Sequence, residues 1–284
     1  MDRAGERLDQ TVMRHGWFSS RSRAQDAIRS GFVRVNGRIV RRPGEWVAAD
    51  SRVEREAGSA LPASRGAGKL NAALVQWSVD PTGWRVVDVG ASTGGFTETW
   101  LRQGVQRVFA VDVGHQQLQG WLEADRRVVV LDGVNARHLS VGQLEAAEGE
   151  SPSEAWVPLD AASIDVSFIS LERVLPPVAR TLKSGGLVLA LFKPQFEVGP
   201  LHVGKGGVVK DGEAVNRVLQ RYRKAVAGWG LSWVDVMLCP VAGREGNREF
   251  WLRLVRGVHR ALDRGTVVAE IVAEAYGRRT GVDR

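Results

Sequence analysis

Cysteine is nearly absent: Cys239 is the one thiol in 284 residues. A lone thiol closes no internal disulfide and builds no multi-cysteine metal centre. No metal site is therefore assigned, and a reducing cytoplasm is the expected location. Long apolar runs are missing too. The longest, Gly185 to Phe192, is far short of the ~20 residues that cross a bilayer, which excludes a membrane-spanning helix and stable membrane insertion. The opening residues, Met1-Asp2-Arg3-Ala4-Gly5-Glu6-Arg7, hold no apolar stretch, so no signal peptide is expected. What is present is ordinary for a folded protein. At 44% hydrophobic and 25% charged, the chain has enough apolar surface for a sizeable core.

The net charge of +7 is localised. Between Arg14 and Arg42 stand eight arginines and one acid, Asp26, a surplus of seven; the other 31 bases and 31 acids cancel. A basic excess confined to so short a stretch marks a contact surface for a polyanion. Leu8 and Val12, four apart, predict a first short helix. Ser22-Arg23-Ala24-Gln25 reads as a capping box opening a second helix through Ile28, with Gly31 as its stop. Val33 to Val40 alternates around Asn36-Gly37, a strong hairpin signal. On that reading Arg34 and Arg38 lie opposite Val33, Val35 and Ile39, extending the basic face of Arg21, Arg23 and Arg29.

This segment resembles the S-four RNA-binding domain through Arg7-Leu8-Asp9, Ser22 to Ile28, Gly31 and Val33-Arg34-Val35-Asn36-Gly37. The resemblance implies a grip on structured RNA, with Arg21, Arg23, Arg29, Arg34 and Arg38 as the contacts. Guanidinium forks suit phosphate oxygens, which give affinity without sequence choice.

Residues 1–54 thus form one module. Residues 55–68, rich in Gly, Ala, Ser and Pro, read as a linker. Residues 69–255 alternate helix and strand: helices at Asn71–Trp77, Thr97–Gln103 and Ala214–Trp229, and strands at Trp84–Val89, Val108–Val113, Val128–Leu131, Ile164–Phe168 and Leu187–Phe192. Leu231–Cys239 and Phe250–Val255 are expected to close as a hairpin. The fold class is α/β, a Rossmann-like, mostly parallel seven-stranded sheet with a terminal antiparallel hairpin, preceded by a small α+β module. Glu145 to Asp160, with five acids and no base, reads as a solvated loop. Residues 256–284 are a tail with a helix near Val267–Tyr276.

The loop Asp88-Val89-Gly90-Ala91-Ser92-Thr93-Gly94-Gly95-Phe96-Thr97 follows a strand and opens a helix. Glycines there let backbone turn sharply and approach a ligand at a helix N-terminus. Three readings are open. A dinucleotide fingerprint is broken by Ser92. Gly90-x-Ser92-x-Gly94 matches a hydrolase nucleophile elbow, but too few residues precede it for the strands such a fold needs. The third reading is a cradle for S-adenosylmethionine, with Asp112 placed for ribose hydroxyls and Asp132, Gly133 and Val134 facing the adenine.

Four ionisable residues lie at element ends: Lys69, Asp165 within the strand Ile164–Phe168, Lys193 after Phe192, and Glu249 before Phe250. Carboxyl ends of parallel strands border one crevice, so Asp165 and Lys193 are expected to meet there. Gly204-Lys205-Gly206-Gly207 is a second glycine-rich loop, read either as a mobile RNA contact or as a surface hairpin.

Residues 69–255 resemble the FtsJ-like 2′-O-ribose methyltransferases, whose K-D-K-E tetrad falls on Lys69, Asp165, Lys193 and Glu249. Across both units the chain is most similar to the TlyA family of rRNA methyltransferases, also labelled haemolysins. Ser64 to Leu70, Asp165 to Leu171, Lys193 to Gly199, Val203 to Asp211 and Gly246 to Phe250 carry the likeness. Ala67 and Gln116 depart from it, standing where glycine is usual. The resemblance implies S-adenosylmethionine as cofactor, with Asp88, Gly90, Ala91, Ser92, Thr93, Gly94, Gly95 and Phe96 in its cradle. It also implies ribosomal RNA or ribosomal subunits as partner and cytidine 2′-OH as acceptor. A free lysine titrates near ~10.4, so a lysine base needs its pKa depressed. Lys193 is expected to be that base, with Lys69 lowering its pKa and Asp165 and Glu249 orienting the lysines. Two alternatives remain: a membrane-active haemolysin, and an RNA-binding protein with an inactive methyltransferase fold.

Overall fold

The computed structural model describes residues 5–18, 21–29, 33–55, 66–149, 156–243, 245–257 and 268–277. Two compact units divide the chain, Met1–Ala67 and Gly68–Arg284.

In the first unit, β1 (Gly5–Arg7) leads into α1 (Leu8–Arg14) and α2 (Arg21–Arg29). The strands β2 (Val33–Val35), β3 (Arg38–Ile39), β4 (Trp46–Ala48) and β5 (Val53–Arg55) follow. Leu8 and Val12 on α1 meet Ala24 and Ile28 on α2, and Val33, Val40 and Val47 complete this small core. β1 pairs with β4, and β3, β2 and β5 form a separate three-stranded sheet. α2 begins at Arg21, one residue ahead of Ser22, so Ser22 lies inside the helix instead of capping it. The expected stop at Gly31 falls outside the described residues.

Asn36 (φ +51°) and Gly37 (φ +79°) both adopt the left-handed conformation that a two-residue type I′ turn requires. That turn corrects one expectation. It pairs Arg34 with Ile39 and Val35 with Arg38, and directly opposed residues share a sheet face. Arg38 therefore lies on the face of Val35, and Arg34 on the other with Ile39, which is 44% exposed. Continuous alternation through residues 34 to 38 put both arginines on one side. The chain reversal changes the parity.

The second unit is entered through α3 (Gly66–Gln76), which starts within the stretch read as linker. There follow β6 (Arg85–Val89), α4 (Gly95–Arg102), β7 (Arg107–Val111), α5 (Gly120–Glu123), β8 (Val128–Leu131) and α6 (Val141–Glu148). Next come β9 (Leu159–Ile164), α7 (Leu175–Thr181), β10 (Leu182–Phe192) and α8 (Gly212–Ala225). β11 (Leu231–Leu238), β12 (Phe250–Arg256) and α9 (Val268–Tyr276) complete it. The seven strands run in the order β11-β12-β10-β9-β6-β7-β8. β6 to β10 are mutually parallel, and β12 is antiparallel to both β10 and β11. This is the expected sheet. Strand order reverses between β6 and β9, the position where open α/β sheets hold ligands.

Two expectations are corrected here. β9 spans Leu159–Ile164 and stops before Asp165. A strand runs only as far as its neighbour pairs with it. β6 ends at Val89, whose carbonyl accepts a last bond from the Asp165 N–H at 2.9 Å. Asp165 is thus the first loop residue, and Phe168 beyond it adopts φ +62°. The described ends of the acidic stretch are likewise no solvated loop, while residues 150–155 lie outside the described residues. Its first residues belong to α6 and its last to β9, and the Glu148 side chain is fully enclosed. The Glu148 carboxylate receives Arg85 Nη2 at 2.7 Å and Arg107 Nε at 2.9 Å. Those bases come from distant strands, beyond the reach of any local charge pattern.

Candidate active site

β6 delivers the chain into a loop of left-handed turns: Gly90 (φ +83°), Ser92 (+47°) and Gly94 (+95°). At Gly90 a Cβ would lie 2.5 Å from the Asp165 carbonyl oxygen. At Gly94 it would run into Leu122. The glycines thus let the loop seat against the chain leaving β9 and against α5. Ser92 is exposed and Thr93 half-buried, whereas Ala91 and Gly95 are buried.

Two residues of the expected cradle act from beneath it. Asp88 is wholly buried. It accepts Thr97 Oγ1 at 2.7 Å and Ser163 Oγ at 3.0 Å, and Trp100 Nε1 donates to Ser163 Oγ at 2.9 Å. This tie fastens β6, β9 and α4 together. Burial pushes the Asp88 carboxyl up to about 7, despite the Thr97 and Ser163 hydroxyls, and the nearby Asp165 charge adds to the rise. Phe96 is also buried, its ring 5.5 Å from that of Trp251.

Asp112 and Asp132 each stand one residue past a strand. Asp112 Oδ2 accepts the Ser92 N–H and Oδ1 the Gly114 N–H, both at 2.8 Å. It therefore locks the glycine loop to the turn after β7, and each oxygen keeps a second lone pair. Asp132 Oδ2 accepts the Gln116 N–H at 2.7 Å. Gln116 holds φ +52°, the conformation that favours glycine. Gly133 bonds to the Gly114 carbonyl and Val134 to that of Asp112, so the turns after β7 and β8 form one wall. The residues fit the expected cofactor in their chemistry: a glycine loop after β6 with Ser92 exposed, the half-buried Asp112 carboxylate bonded to it, and the exposed Gly133 in the adjoining turn.

The four ionisable residues converge as two ion pairs. Lys193 Nζ lies 2.5 Å from Asp165 Oδ1 and donates to Ser167 Oγ at 3.0 Å. Lys69 Nζ donates to Glu249 Oε2 at 2.6 Å. Both lysines are 9% exposed and Glu249 is 2% exposed. Burial works to lower the Lys69 pKa, but the charges of Asp165 and Glu249 outweigh it and raise the ammonium above its ordinary value. Lys69 is therefore a fixed cation. Cys239 sits close by, its thiol pushed up to about 11 by burial.

Loops after β9 and β10 are cross-tied by residues that carried no expectation. Glu197 accepts the Leu171 N–H at 2.9 Å and the Tyr222 hydroxyl at 2.6 Å, and Ser170 Oγ lies 2.8 Å from that hydroxyl. Beside this tie opens a cleft of about 490 Å³ lined by Arg137, Phe168, Ile169, Ser170, Arg173 and Phe196. The Phe168 ring, 91% exposed, stands 5.0 Å from Phe196. The second glycine-rich loop is the tip of a small hairpin closed by a Val203–Val209 bridge. The Asn247 amide fastens it, donating to the Gly207 carbonyl at 2.8 Å and accepting the Val209 N–H at 2.9 Å.

Residues 62–256 match the family model described as FtsJ-like methyltransferase, more than two thirds of the chain. The chain belongs to the FtsJ-like methyltransferase family. Residues 6–53 match the S4 domain, and the curated relatives of this FtsJ-like chain include proteins named TlyA. The 16S/23S rRNA (cytidine-2′-O)-methyltransferase TlyA of Mycobacterium tuberculosis is 37% identical over 273 residues, 91% of this chain and 98% of its own. Hemolysin A of Brachyspira hyodysenteriae is 34% identical over 244 residues, 86% of this chain and 97% of its own. A solved structure from Streptococcus thermophilus with a hemolysin label has a TM-score of 0.71 at 34% identity and covers 96% of each chain. Among the described residues no helix is long and apolar enough to cross a membrane.

In the S4 unit of this FtsJ-like chain, the arginines divide. Arg21 is half engaged inside: its Nε donates to Asp9 at 3.0 Å. Asp9 is fully buried and also receives Arg7 Nε at 3.0 Å and Gln25 Nε2 at 2.7 Å. Burial opposes its charge, but bonds from Arg7, Gln25 and Arg21 outweigh it and hold the carboxyl well below the usual range. Arg34 Nη1 donates to the Gly37 carbonyl at 2.8 Å, bracing the turn, while Arg38 is exposed. The side chains of Arg23 and Arg29 fall outside the described residues. The Arg7-Leu8-Asp9 run, which carried the S4 resemblance, was the available signal for Asp9.

Proposed function

We propose that this protein transfers a methyl group from S-adenosylmethionine to the ribose 2′-OH of a cytidine in ribosomal RNA. The observation that carries the reading is the Lys193–Asp165 contact at 2.5 Å, made where the ends of β9 and β10 border the glycine loop. When bound, S-adenosylmethionine supplies the electrophilic methyl of its sulfonium. The Gly90–Gly94 loop would hold it, with Asp112 on its ribose and Gly133 and Val134 along its adenine.

The protein's own work is to position the acceptor and move one proton. Holding two reacting groups in line removes much of the entropic cost of the encounter. Lys193 Nζ takes the 2′-OH proton as the new O–C bond forms. Asp165 holds that amine by charge, and Lys69, kept charged by Asp165 and Glu249, stands as the second cation of the cluster. Phe168 and Phe196 offer stacking faces for a nucleobase, with the Arg137 and Arg173 guanidinium groups at the cleft for its phosphates. The S4 unit adds phosphate contacts through its arginines.

The test is incubation with methyl-labelled S-adenosylmethionine and separated ribosomal subunits, followed by mapping of the methylated nucleotide. Lys193→Ala is expected to abolish transfer while cofactor binding survives. Appreciable turnover by that variant would overturn the assignment of the base.

A further inference from the structure

We infer that Ser167 is a positioning residue for the base. Its hydroxyl is the hydrogen-bond acceptor that sets the rotation of Lys193 Nζ, while the Asp165 carboxylate holds the amine by charge. The inference rests on the methyl-transfer reading above.

A lysine amine turns freely about its Cε–Nζ bond. Ready to act as base, it carries two N–H bonds and one lone pair in tetrahedral array. A hydrogen-bond acceptor fixes one of those N–H directions and confines the lone pair to a cone about it. Lys193 Nζ finds that acceptor in Ser167 Oγ at 3.0 Å, whereas Asp165 Oδ1, 2.5 Å away, is in ion-pair contact and receives no aligned N–H. Once the proton arrives, the same two contacts hold the ammonium.

The backbone fixes where Ser167 stands. On one side the Asp165 N–H is bonded to the Val89 carbonyl at the end of β6. On the other side Ser170 is tied to Tyr222 and Glu197. Between them Phe168 holds φ +62°, a costly conformation for an aromatic residue, and such outliers persist where the surroundings over-determine them. Ser167 is itself exposed, at the edge from which an RNA ribose approaches. A serine kept at the surface by strained backbone, with its hydroxyl turned inward onto a nearly buried lysine, serves that lysine.

The charged groups around the pair are Asp165 on Lys193 itself, with Lys69, Glu249 and the Cys239 thiol behind it. Of the contacts to Lys193, Ser167→Ala removes one neutral acceptor and no charge. Steady-state methylation of ribosomal subunits by the full chain should show kcat down by roughly tenfold to a hundredfold. KM for RNA, cofactor affinity and melting temperature should hold, and Ser167→Thr should restore the rate. Parental kcat in Ser167→Ala would overturn the inference. So would a raised KM for RNA at unchanged kcat, which would place the hydroxyl on the substrate. No transfer by the parent chain would defeat the function reading and this inference together; an active parent with a parental variant defeats this inference alone.

Discussion

The Asp165 carbonyl oxygen occupies the space beside residue 90, 2.5 Å from the point where a Cβ would sit. Contact and conformation both forbid a side chain there, since Gly90 also holds φ +83°. Gly90→Ala is expected to cost at least ~1 kcal/mol from the backbone conformation alone, and to push the glycine loop off β9. Thermal denaturation should show a lower melting temperature and calorimetry a weaker cofactor. Parental values for both would refute the packing argument.

Asp88 makes stability fall with rising pH. Burial raises its carboxyl to about 7 in the folded protein, whereas the unfolded chain releases that proton near ~4. Between those values the native state binds more protons, so this group's contribution declines as pH rises through the interval. Asp88→Asn has no proton to lose. In urea denaturation the parent's advantage over Asp88→Asn should be larger at pH 5 than at pH 7.

Asp9 works in the opposite sense. Its folded carboxyl titrates well below the ordinary range, so its contribution is complete above about pH 4 and is lost as pH falls through the folded value. Asp9→Asn keeps the shape but weakens three charge-assisted bonds, a loss of about 2 kcal/mol. Amide exchange in α1 should be faster in the variant at pH 7, and the two proteins should converge toward pH 3.

Arg34 and Arg38 lie on opposite faces of their hairpin, so one RNA surface meets one of them. Removing a single phosphate interaction should flatten log affinity against log salt by about 0.7 to 0.9. The double change Arg34→Ala/Arg38→Ala is therefore expected to flatten the slope by that single increment, with cofactor affinity unchanged. A flattening twice as large would show that both arginines reach RNA.

Local signals were the legible ones. Asn36-Gly37, the loop from Gly90 to Gly95 and the apolar strands each carry their structure in a few neighbouring residues, and the sheet order follows from their alternation with helices. Lys69, Asp165, Lys193 and Glu249 were visible as charges at element ends, and parallel strands bring such ends together. Pairings between distant segments were not legible. Glu148 looked solvated because Arg85 and Arg107 are far away in sequence, and the length of β9 was set by β6. The hydroxyls of Ser167 and Ser163 gave no sign, since a serine beside a strand looks the same whether it faces water or a buried partner.

β12 runs against its neighbours, with Phe250 beside Phe192, so its leading end arrives at the edge where the parallel strands finish. Glu249 enters the site from there, 180 positions along the chain from the lysine it neutralises. No shorter stretch of the polypeptide holds the complete set. During synthesis the set of four stays incomplete until the last strand has left the ribosome and slotted in beside β10.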